Sequence, residues 1–246
     1  MSFPAPEPPV AFFPDEAWVA APRLANVLVE RAREEGAELR SGHSVGGIKT
    51  EDGRVSALRL QGGERIPCDA VVDAAGPEAD VIAAMLGRKL PLKPRGGLLV
   101  GGLLVNLAVE DAPVGRLLHS PCVNLRLDGP PGRVLVHHGP VDAKLESDGD
   151  TRGSLSRELL ERARRVVPAL EGAKIERVRV GVRLMPVDAL PCVVAVAEFP
   201  GYYEAVTHSG VTLGPLLGRL LAREILTGEA DALVAPFRPD RFTSAR

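Results

Sequence analysis

This 246-residue sequence has few aromatic residues and no large excess of charge of either sign. Only 4% of its residues are aromatic, and 30 basic residues are nearly balanced by 32 acidic ones. Proteins that bind nucleic acid usually combine a basic surface with aromatic side chains that stack on bases. The composition therefore predicts no nucleic-acid partner.

Cysteines and long apolar runs are scarce as well. The three cysteines, Cys68, Cys122 and Cys192, are too few and too widely spaced for a disulfide framework, which favours a reducing, cytoplasmic setting. The most apolar stretch, residues 96–109, is glycine-rich and shorter than the about 20 residues of a membrane helix, so no span is predicted. Residues 1–10 lack the positive and apolar regions of a signal peptide and are expected to form a loose leader.

Several motifs that carry catalytic chemistry are absent. The sequence has no HExxH or CxxC motif, and its five histidines offer no pair at the spacing of helical metal ligands. A G-x-S-x-G match at residues 42–46 leads into a predicted strand, whereas the catalytic serine of that motif lies in a turn from a strand into a helix. We therefore expect neither a metal site nor an acyl-transfer triad. No two of the 26 glycines are separated by a single residue, so the chain also lacks a G-x-G-x-x-G loop. That loop places the phosphates of a dinucleotide at a helix N-terminus, where free N–H groups stabilise negative charge.

Residues 1–90 alternate helical and extended patterns. Apolar residues at helical spacing predict an amphipathic surface helix over Arg23–Glu35, which Gly36 ends. The apolar run from Ala70 to Gly76 predicts a buried parallel strand that enters a helix after Pro77. Between these two elements, turn signals predict a strand and a small antiparallel meander, at Glu38–Arg40, Val45–Lys49, Val55–Leu60 and Glu64–Ile66.

The texture changes near Pro91, where we place a domain boundary. Longer strands are predicted from Leu98 to Val136, with a turn at residues 128–132. The alternation of strands and helices predicts an α/β or α+β fold with a mixed sheet as its core. The remaining predicted elements are a charged helix at Leu155–Val167, strands at Ile175–Val182, Val193–Val196 and Tyr202–Val206, and a final helix at Val211–Leu226.

Two stretches near the C-terminus are candidates for a functional site. Glycines recur at Gly210, Gly214 and Gly218, and from this spacing alone tight packing of the last helix on a sheet is favoured. The position of residues 208–210 favours a functional role, because backbone N–H groups at a strand-to-helix junction can stabilise negative charge on a ring system. Arg183 ends a strand before a proline-held loop. Alone it is typical of a surface ion-pair residue, but in a cleft its planar fork would suit a carboxylate.

In their order along the chain, these motifs resemble the D-amino-acid oxidase, glycine oxidase and sarcosine oxidase family of FAD-dependent oxidoreductases. The resemblance extends over nearly the whole chain from Phe13 onward. It is carried by Phe13–Val19 with Pro22–Leu24, Val45–Ile48, Ala70–Pro77, Pro94–Gly97, Gly181–Pro191, Tyr202–Arg219 and Asp240–Phe242. The family's opening βαβ unit, with its G-x-G-x-x-G loop, has no counterpart in the sequence.

The resemblance implies an incomplete FAD-binding Rossmann-like domain and a substrate domain with a mixed or antiparallel sheet. It assigns residues 1–90 and 181–246 to the FAD-binding domain, the latter with the C-terminal helix, and residues 91–180 to the substrate domain. The implied reaction is oxidation of a small amino acid or hydroxy acid by hydride transfer to the flavin. The implied partners are FAD, a small-molecule carboxylate substrate and, for the missing unit, a second chain.

The same resemblance implies roles for individual residues. Arg183 and His208 match catalytic positions, with Arg183 at the substrate carboxylate. We expect both side chains on the wall of one cavity with room for a flat ring. The cofactor-binding positions that it implies are Val45, Ala75 and Gly76 on the cofactor wall, and Ser209, Gly210, Val211 and Thr212 beside the flavin's pyrimidine ring.

The sequence leaves three alternatives open. The chain belongs to a flavin-dependent oxidase or dehydrogenase, either as a fragment or completed by another chain. It is a truncated, catalytically inactive binding or interaction protein that keeps the sheet and groove. Or the missing residues lie upstream of the assigned start. Loss of the opening unit would be expected to expose the flanks of Val71–Ala74 and the apolar helix face at Leu24.

Overall fold

Three β-sheets organise the chain, which the computed structural model describes over residues 11–93, 101–110, 114–129, 131–145 and 151–242. The mixture of helices and sheets confirms the expected fold class, while the motif at Pro94–Gly97 lies outside the described residues. The helices are α1 (Ala21–Glu34), α2 (Ala79–Ala84), α3 (Gly139–Asp142), α4 (Thr151–Val166) and α5 (Gly210–Thr227). The strands are β1 (Val45–Glu51), β2 (Arg54–Leu60), β3 (Arg65–Pro67), β4 (Val71–Asp73), β5 (Gly101–Ala108), β6 (Leu118–His119), β7 (Asn124–Leu127), β8 (Arg133–His137), β9 (Lys174–Val182), β10 (Cys192–Ala195) and β11 (Tyr202–Val206).

The first sheet is the antiparallel meander that the turn signals predicted, with β1, β2 and β3 in sequence order. Asp52 and Gly53 form the turn between β1 and β2 with φ angles of +51° and +77°, a region that Gly and Asp tolerate better than most residues. The strand predicted at Glu38–Arg40 is wrong, because these residues have no regular structure. The Arg40 side chain instead donates hydrogen bonds to Glu38 and to Glu64, at 2.7 and 2.6 Å.

The second sheet has the strand order β10-β11-β4, with β11 parallel to β4 and antiparallel to β10. The parallel strand predicted within Ala70–Gly76 is therefore confirmed as β4. Its burial is incomplete, because Val71 and Asp73 are buried whereas Val72 is 42% exposed. Within the described residues, β4 pairs with β11 on one side and with no strand on the other. The outer edge of β4 is consequently open.

The third sheet contains five antiparallel strands in the order β6-β7-β8-β5-β9 and forms the largest core. One face packs on α4, and alternate residues on the other face are polar, including Asn106, His137 and Arg179. Each fully buried Leu or Val contributes on the order of 1.5–3 kcal/mol, so this core gives the strands rigid support. The buried residues include Leu103, Val105, Leu107, Val123, Leu125, Val134 and Val136 from the sheet, and Leu155, Leu159 and Ala163 from the helix.

Smaller apolar clusters join the first two sheets and cover the second with α5. Ile48 and Val55 of the first sheet pack with Val71, Val196 and Tyr202 near or in the second. On the other face, α5 covers Val193 with Leu217 and Leu221. The predicted last helix is confirmed, since α5 extends by one residue beyond Val211–Leu226 at each end.

The helix α1 confirms the predicted amphipathic surface helix, but none of its residues is buried within the described part of the chain. Its Val27 and Leu28 are 51% and 48% exposed. A helix of this length gains most of its stability in proteins from packing of its apolar face. The apolar face of α1 therefore lacks the cover that such a helix normally has.

Buried polar groups connect β4, β10 and β11. The Tyr202 hydroxyl donates to Asp73 Oδ2 at 3.0 Å, and Arg88 Nε donates to Glu204 Oε1 at 3.0 Å. The Cys192 thiol lies 3.9 Å from Glu204 Oε2, and burial raises its pKa to about 11. Burial likewise raises the pKa of Asp73 to about 6, although hydrogen bonds from the Ala75 N–H and the Tyr202 hydroxyl oppose the change.

Substitution of Gly201 is expected to destabilise the junction between the first two sheets. Gly201 has a φ of +89°, and a β-carbon there would lie 2.6 Å from the Asp69 carbonyl oxygen. Strain and overpacking together predict that Gly201→Ala lowers the free energy of unfolding by roughly 2–5 kcal/mol in urea titrations. Gly62→Ala is the control, since its β-carbon would meet nothing within 4 Å and φ is ordinary. Equal urea midpoints for both variants would contradict the packing described here.

Asp73 makes stability depend on pH in a definite direction. Its folded-state pKa of about 6 lies above that of an unfolded aspartate, about 3.9, so the folded state binds this proton more tightly. The resulting stabilisation is complete below about pH 4 and is lost as the pH rises through 6. Asp73→Asn, which cannot ionise, should therefore gain about 2–3 kcal/mol relative to the parent between pH 4 and pH 7.5. Asp52→Asn in an exposed turn is the control, and a parent-to-Asp73→Asn difference that is constant with pH would refute the assignment.

Candidate functional site

Arg183 directly follows β9, and its guanidinium is held by a buried acid. Its Nη2 donates to Asp142 Oδ2 at 2.6 Å, and the Asp142 side chain is 4% exposed. The other carboxylate oxygen, Oδ1, accepts a hydrogen bond of 2.8 Å from the backbone N–H of Leu103 in β5. The Arg183 side chain itself is 38% exposed. It is thus half-buried at the end of a rigid sheet.

A cavity of about 270 Å³ adjoins Arg183. Its wall comes from α2 and the residues around it on one side, and from residues 182–185 on the other. The charged lining residues are Arg88, Lys89, Lys93, Arg183 and Asp80. Arg88 is paired with Glu204 and Glu198, and Arg183 with Asp142, so the excess positive charge of the lining comes from Lys89 and Lys93. This excess suits a small carboxylate or another anion.

The turn after β4 has a fixed conformation. Asp73 Oδ1 accepts a hydrogen bond of 3.1 Å from the Ala75 N–H, and Gly76 has a φ of +57°. The positive φ favours glycine, because most side chains are strained there. Ala75 is exposed and Gly76 half-buried, so the turn is accessible from outside.

The N-terminus of α5 is also accessible. Gly210, Val211 and Thr212 are exposed, and the first helical hydrogen bond of α5 runs from the Leu213 N–H to the Ser209 carbonyl. N–H groups in the first turn of a helix have no partner within the helix and attract negative charge. His208 is exposed beside this turn, with its Nδ1 3.2 Å from Ser209 Oγ.

The glycine face of α5 is open. A β-carbon at Gly210 would find its nearest neighbour, Thr207 Cγ2, at 3.9 Å, and β-carbons at Gly214 and Gly218 would meet nothing within 4 Å. Tight packing of this face against strand side chains, which the spacing alone favoured, is therefore wrong for the described residues. The glycines leave a smooth surface without a cover.

The parallel pairing of β4 and β11 places the turn after β4 and the N-terminus of α5 at the same end of the second sheet. Asp73 lies opposite Glu204; β4 ends at Asp73, and β11 ends two residues after Glu204. Because parallel strands end at the same edge of a sheet, the Ala75–Gly76 turn and the residues leading into α5 share one edge. Ligands of open α/β sheets bind at the carboxyl ends of the strands.

Other expected neighbours are not joined in the same way. The cavity beside Arg183 has neither His208 nor any residue of 209–212 among its described lining residues, so this cavity does not give Arg183 and His208 the common wall that we expected. The physical reason is that Arg183 ends a strand of the five-stranded sheet, whereas His208 follows β11 of the second sheet. Val45 is half-buried in β1 of the first sheet. The roles of these residues toward a cofactor therefore remain predictions.

Sequence reasoning missed three residues around Arg183, namely Gly102, His137 and Asp142. Burial lowers the pKa of His137, and the charges of Asp142 and Arg183 act on that pKa with opposite signs, so the imidazole lies in the same neighbourhood. Gly102 stands in an apolar strand where glycine is unfavourable, which was an available signal. Nothing in the local pattern around Asp142 indicated its partner 41 residues away.

Neither a membrane-crossing helix nor a metal site is present in the part of the chain that the structure describes. The helices there are not both long and apolar enough to cross a membrane. Across the same residues, no group of three or more His, Cys, Asp and Glu side chains is placed to hold a metal ion.

Two relatives of this chain are named as subunits of enzymes. Hydrogen cyanide synthase subunit HcnC of Pseudomonas aeruginosa is 29% identical over 223 residues, which cover 89% of this chain and 52% of that protein. An opine oxidase subunit of Agrobacterium tumefaciens is 28% identical over 232 residues, covering 92% of this chain and 57% of that protein. The chain thus spans about half the length of these relatives.

Two solved oxidase structures resemble this chain in fold. Glycine oxidase from Geobacillus kaustophilus superimposes with a TM-score of 0.72 and 25% identity, over 88% of this chain and 57% of that one. Iminodiacetate oxidase from Chelativorans sp. gives the same TM-score, identity and coverage. The model of the FAD dependent oxidoreductase family, DAO, matches residues 3–224. The chain, with its parallel strand pair, open helix N-terminus and half-buried arginine, therefore belongs to the DAO family of FAD-dependent oxidoreductases.

Proposed function

We propose that this chain forms the substrate-binding and flavin-covering part of an oxidoreductase that oxidises a small amino acid or hydroxy acid by hydride transfer to FAD. Residues 1–90 and 181–246 would belong to its FAD-binding domain, and residues 91–180 to its substrate domain. The observation that carries the proposal is Arg183, held at 2.6 Å by a buried acid on the wall of a cationic cavity. A cavity of about 270 Å³ suits a small acid rather than a polymer.

Arg183 would bind the substrate carboxylate. A guanidinium presents N–H donors in a rigid, planar fork that matches the two oxygens of a carboxylate. Lys89 and Lys93 add positive charge around the same cavity. The chain would thereby orient the acid end of the substrate and leave its amine- or hydroxyl-bearing carbon toward the cofactor.

The residues at the shared edge of β4 and β11 fit the flavin end of FAD. The surface over Gly210, Gly214 and Gly218 has room for a flat ring, because no side chain of the described residues would approach a β-carbon at these positions more closely than 3.9 Å. N–H groups of the first turn of α5, at Gly210, Val211 and Thr212, would stabilise the negative charge of the reduced ring. FAD, when bound, supplies the hydride acceptor.

The phosphates of FAD need residues that this sequence does not contain. A dinucleotide pyrophosphate is normally held by a glycine-rich turn at a helix N-terminus, and no G-x-G pair occurs among the glycines of the chain. Two uncovered surfaces favour a further segment that would supply the turn. These are the open edge of β4, next to Val72, and the apolar face of α1, at Val27 and Leu28.

We propose that this segment is joined upstream or is provided by a second chain. Two relatives, from a hydrogen cyanide synthase and an opine oxidase, are named as subunits, which supports a multi-chain assembly. The three cysteines are free, in keeping with a cytoplasmic location. The alternative is an interaction protein without redox activity. It is favoured by the same uncovered surfaces if the partner that binds them carries no phosphate-binding turn.

The chain expressed alone is expected to be colourless, because the remaining contacts cannot hold the dinucleotide without a phosphate-binding turn. Adding a polypeptide that carries the βαβ unit, or fusing it upstream, should give the visible absorption band of oxidised flavin. We call this combination the completed form. A stoichiometric yellow preparation of the chain alone would refute the proposal.

A positive charge on β4 should prevent the missing segment from docking there, so that the completed form does not assemble. Val72→Lys places an ammonium on an exposed strand residue next to the open edge and is expected to abolish flavin uptake by the completed form. Leu226→Lys is the matched control, since Leu226 is 84% exposed on α5 and far along the helix from its N-terminus. Equal flavin content in the two variants would show that the missing segment does not dock at β4.

Arg183→Lys in the completed form should damage substrate use more than flavin content. Lysine keeps the charge but loses the fork, so an acid substrate would be held less well and misoriented, and kcat/KM should fall by about 100-fold. Flavin absorbance per chain should stay unchanged. Arg157→Lys, on the exposed side of α4, is the control. Unchanged turnover of every acid tested would make Arg183 an ordinary ion-pair residue.

A further inference from the structure

We infer that Asp142 is a positioning residue, which together with the bare backbone at Gly102 fixes the Arg183 guanidinium in the orientation that receives a carboxylate. The inference rests on the proposed role of Arg183. Neither Asp142 nor Gly102 belongs to the motifs by which the sequence resembles its family. Both emerge from the geometry around the end of β9.

The carboxylate of Asp142 is held by the backbone of the sheet as well as by Arg183. Its Oδ1 accepts the Leu103 N–H at 2.8 Å, so the carboxylate is tied to the backbone of β5. Its Oδ2 accepts Arg183 Nη2 at 2.6 Å. A buried carboxylate is tolerated when charged and backbone donors occupy its oxygens, as both do here. The position of the guanidinium is therefore fixed, through Asp142, by the five-stranded sheet rather than by a loop.

Gly102 provides the space in which the guanidinium lies. It pairs with Gly181 across β5 and β9, so the sheet has no side chain at either position. A β-carbon at Gly102 would lie 2.9 Å from Arg183 Nη2, 3.2 Å from Nε and 3.3 Å from Cζ. The guanidinium thus rests directly on the backbone of Gly102. Glycine weakens the interior of a strand, and close approach of another group is a recognised reason for its presence.

These two contacts restrict Arg183 from different sides. Asp142 fixes one terminal nitrogen, and the strand surface at Gly102 limits where the plane can go. An arginine side chain loses rotamer entropy when it is fixed, and here folding has already fixed it before a ligand arrives. A carboxylate entering the cavity that Arg183 lines would then meet an oriented partner.

A purely structural interpretation assigns the same ion pair to a tie between α3 and β9. That interpretation predicts a loss of stability in variants, but no selective effect on acids. The chain offers a matched control for this distinction, the pair in which Arg241 Nε donates to Asp188 Oδ2, also at 2.6 Å. Asp188→Asn removes an Asp–Arg pair of the same length away from the cavity.

The first measurement uses the full chain and needs no cofactor. Arginine side chains are labelled with ¹⁵N, and the Arg183 signals are assigned by their loss in Arg183→Lys. We expect a restricted guanidinium in the parent, and faster rotation about the Cζ–Nη bonds in Asp142→Asn and Gly102→Ala. Asp188→Asn should leave the Arg183 signals unchanged. Circular dichroism confirms that each variant is folded, and any variant that is not folded is replaced by Asp142→Glu, which keeps the charge but displaces it.

The second measurement uses the completed form with pairs of probes, each an amino or hydroxy acid and its uncharged amide. Asp142→Asn should raise KM for the acid by about 10- to 100-fold, leave flavin content unchanged and barely affect the amide. Asp142→Glu should recover part of the loss. An effect of equal size on acid and amide, or no effect on either, would overturn the inference.

The two measurements separate this inference from the proposed function. If the completed form oxidises no acid, the proposed function fails, and the Arg183 signals alone decide. In that case, a guanidinium that stays restricted in both Asp142→Asn and Gly102→Ala overturns the inference, and release in both variants supports the positioning.

Discussion

The parallel pairing of β4 with β11 is the contact on which the rest of the candidate site depends. Only three residue pairs form it, from Tyr202 opposite Val71 to Glu204 opposite Asp73. The pairing sends the chain out of both strands at the same edge, into a turn with a positive φ after β4 and toward the N-terminus of an 18-residue helix after β11. The hydrogen bond from Tyr202 of β11 to the buried acid Asp73 of β4 joins the two strands, and the bond from Arg88 to Glu204 ties β11 to the segment after α2.

Short as it is, this sheet is secured on one edge and left open on the other. β10 closes the side of β11, and the first sheet and α5 cover parts of its faces. The far edge of β4 and the apolar face of α1 have no cover among the described residues. A chain that spans about half of its relatives' length is expected to show such surfaces where the remaining half would pack. The five-stranded sheet shows no comparable gap in the described part of its α4-facing core. The sheet that leads to Arg183 is therefore better covered than the sheet that contains β4.

Local patterns were sufficient for most elements. Alternating residues bounded by turn signals gave β11 its observed limits of Tyr202 and Val206, and glycine-containing turns gave the meander. The pattern failed at Glu38–Arg40, where charges pair with one another instead of packing on a sheet. It also failed for the glycine face of α5, because spacing alone cannot tell a face that packs closely from one left open.

The surroundings of Arg183 were beyond the sequence for a different reason. Its acid partner is 41 positions away and comes from a four-residue helix with no periodic signal. Its platform at Gly102 follows from strand register, which depends on the pairing of β5 with β9. Such long-range contacts have no local signature, so sequence reasoning placed the arginine at a strand end and could not supply what holds it.

The buried thiol of Cys192 gives the second sheet a reporter of its own opening. The residue is 1% exposed, and its raised pKa of about 11 leaves very little thiolate at neutral pH. Cys68 and Cys122 are only partly buried. A thiol reagent would therefore modify these two first and reach Cys192 only when β10 separates from its neighbours. The rate of that third modification would measure how often the second sheet opens, and a segment that docks on β4 would slow it.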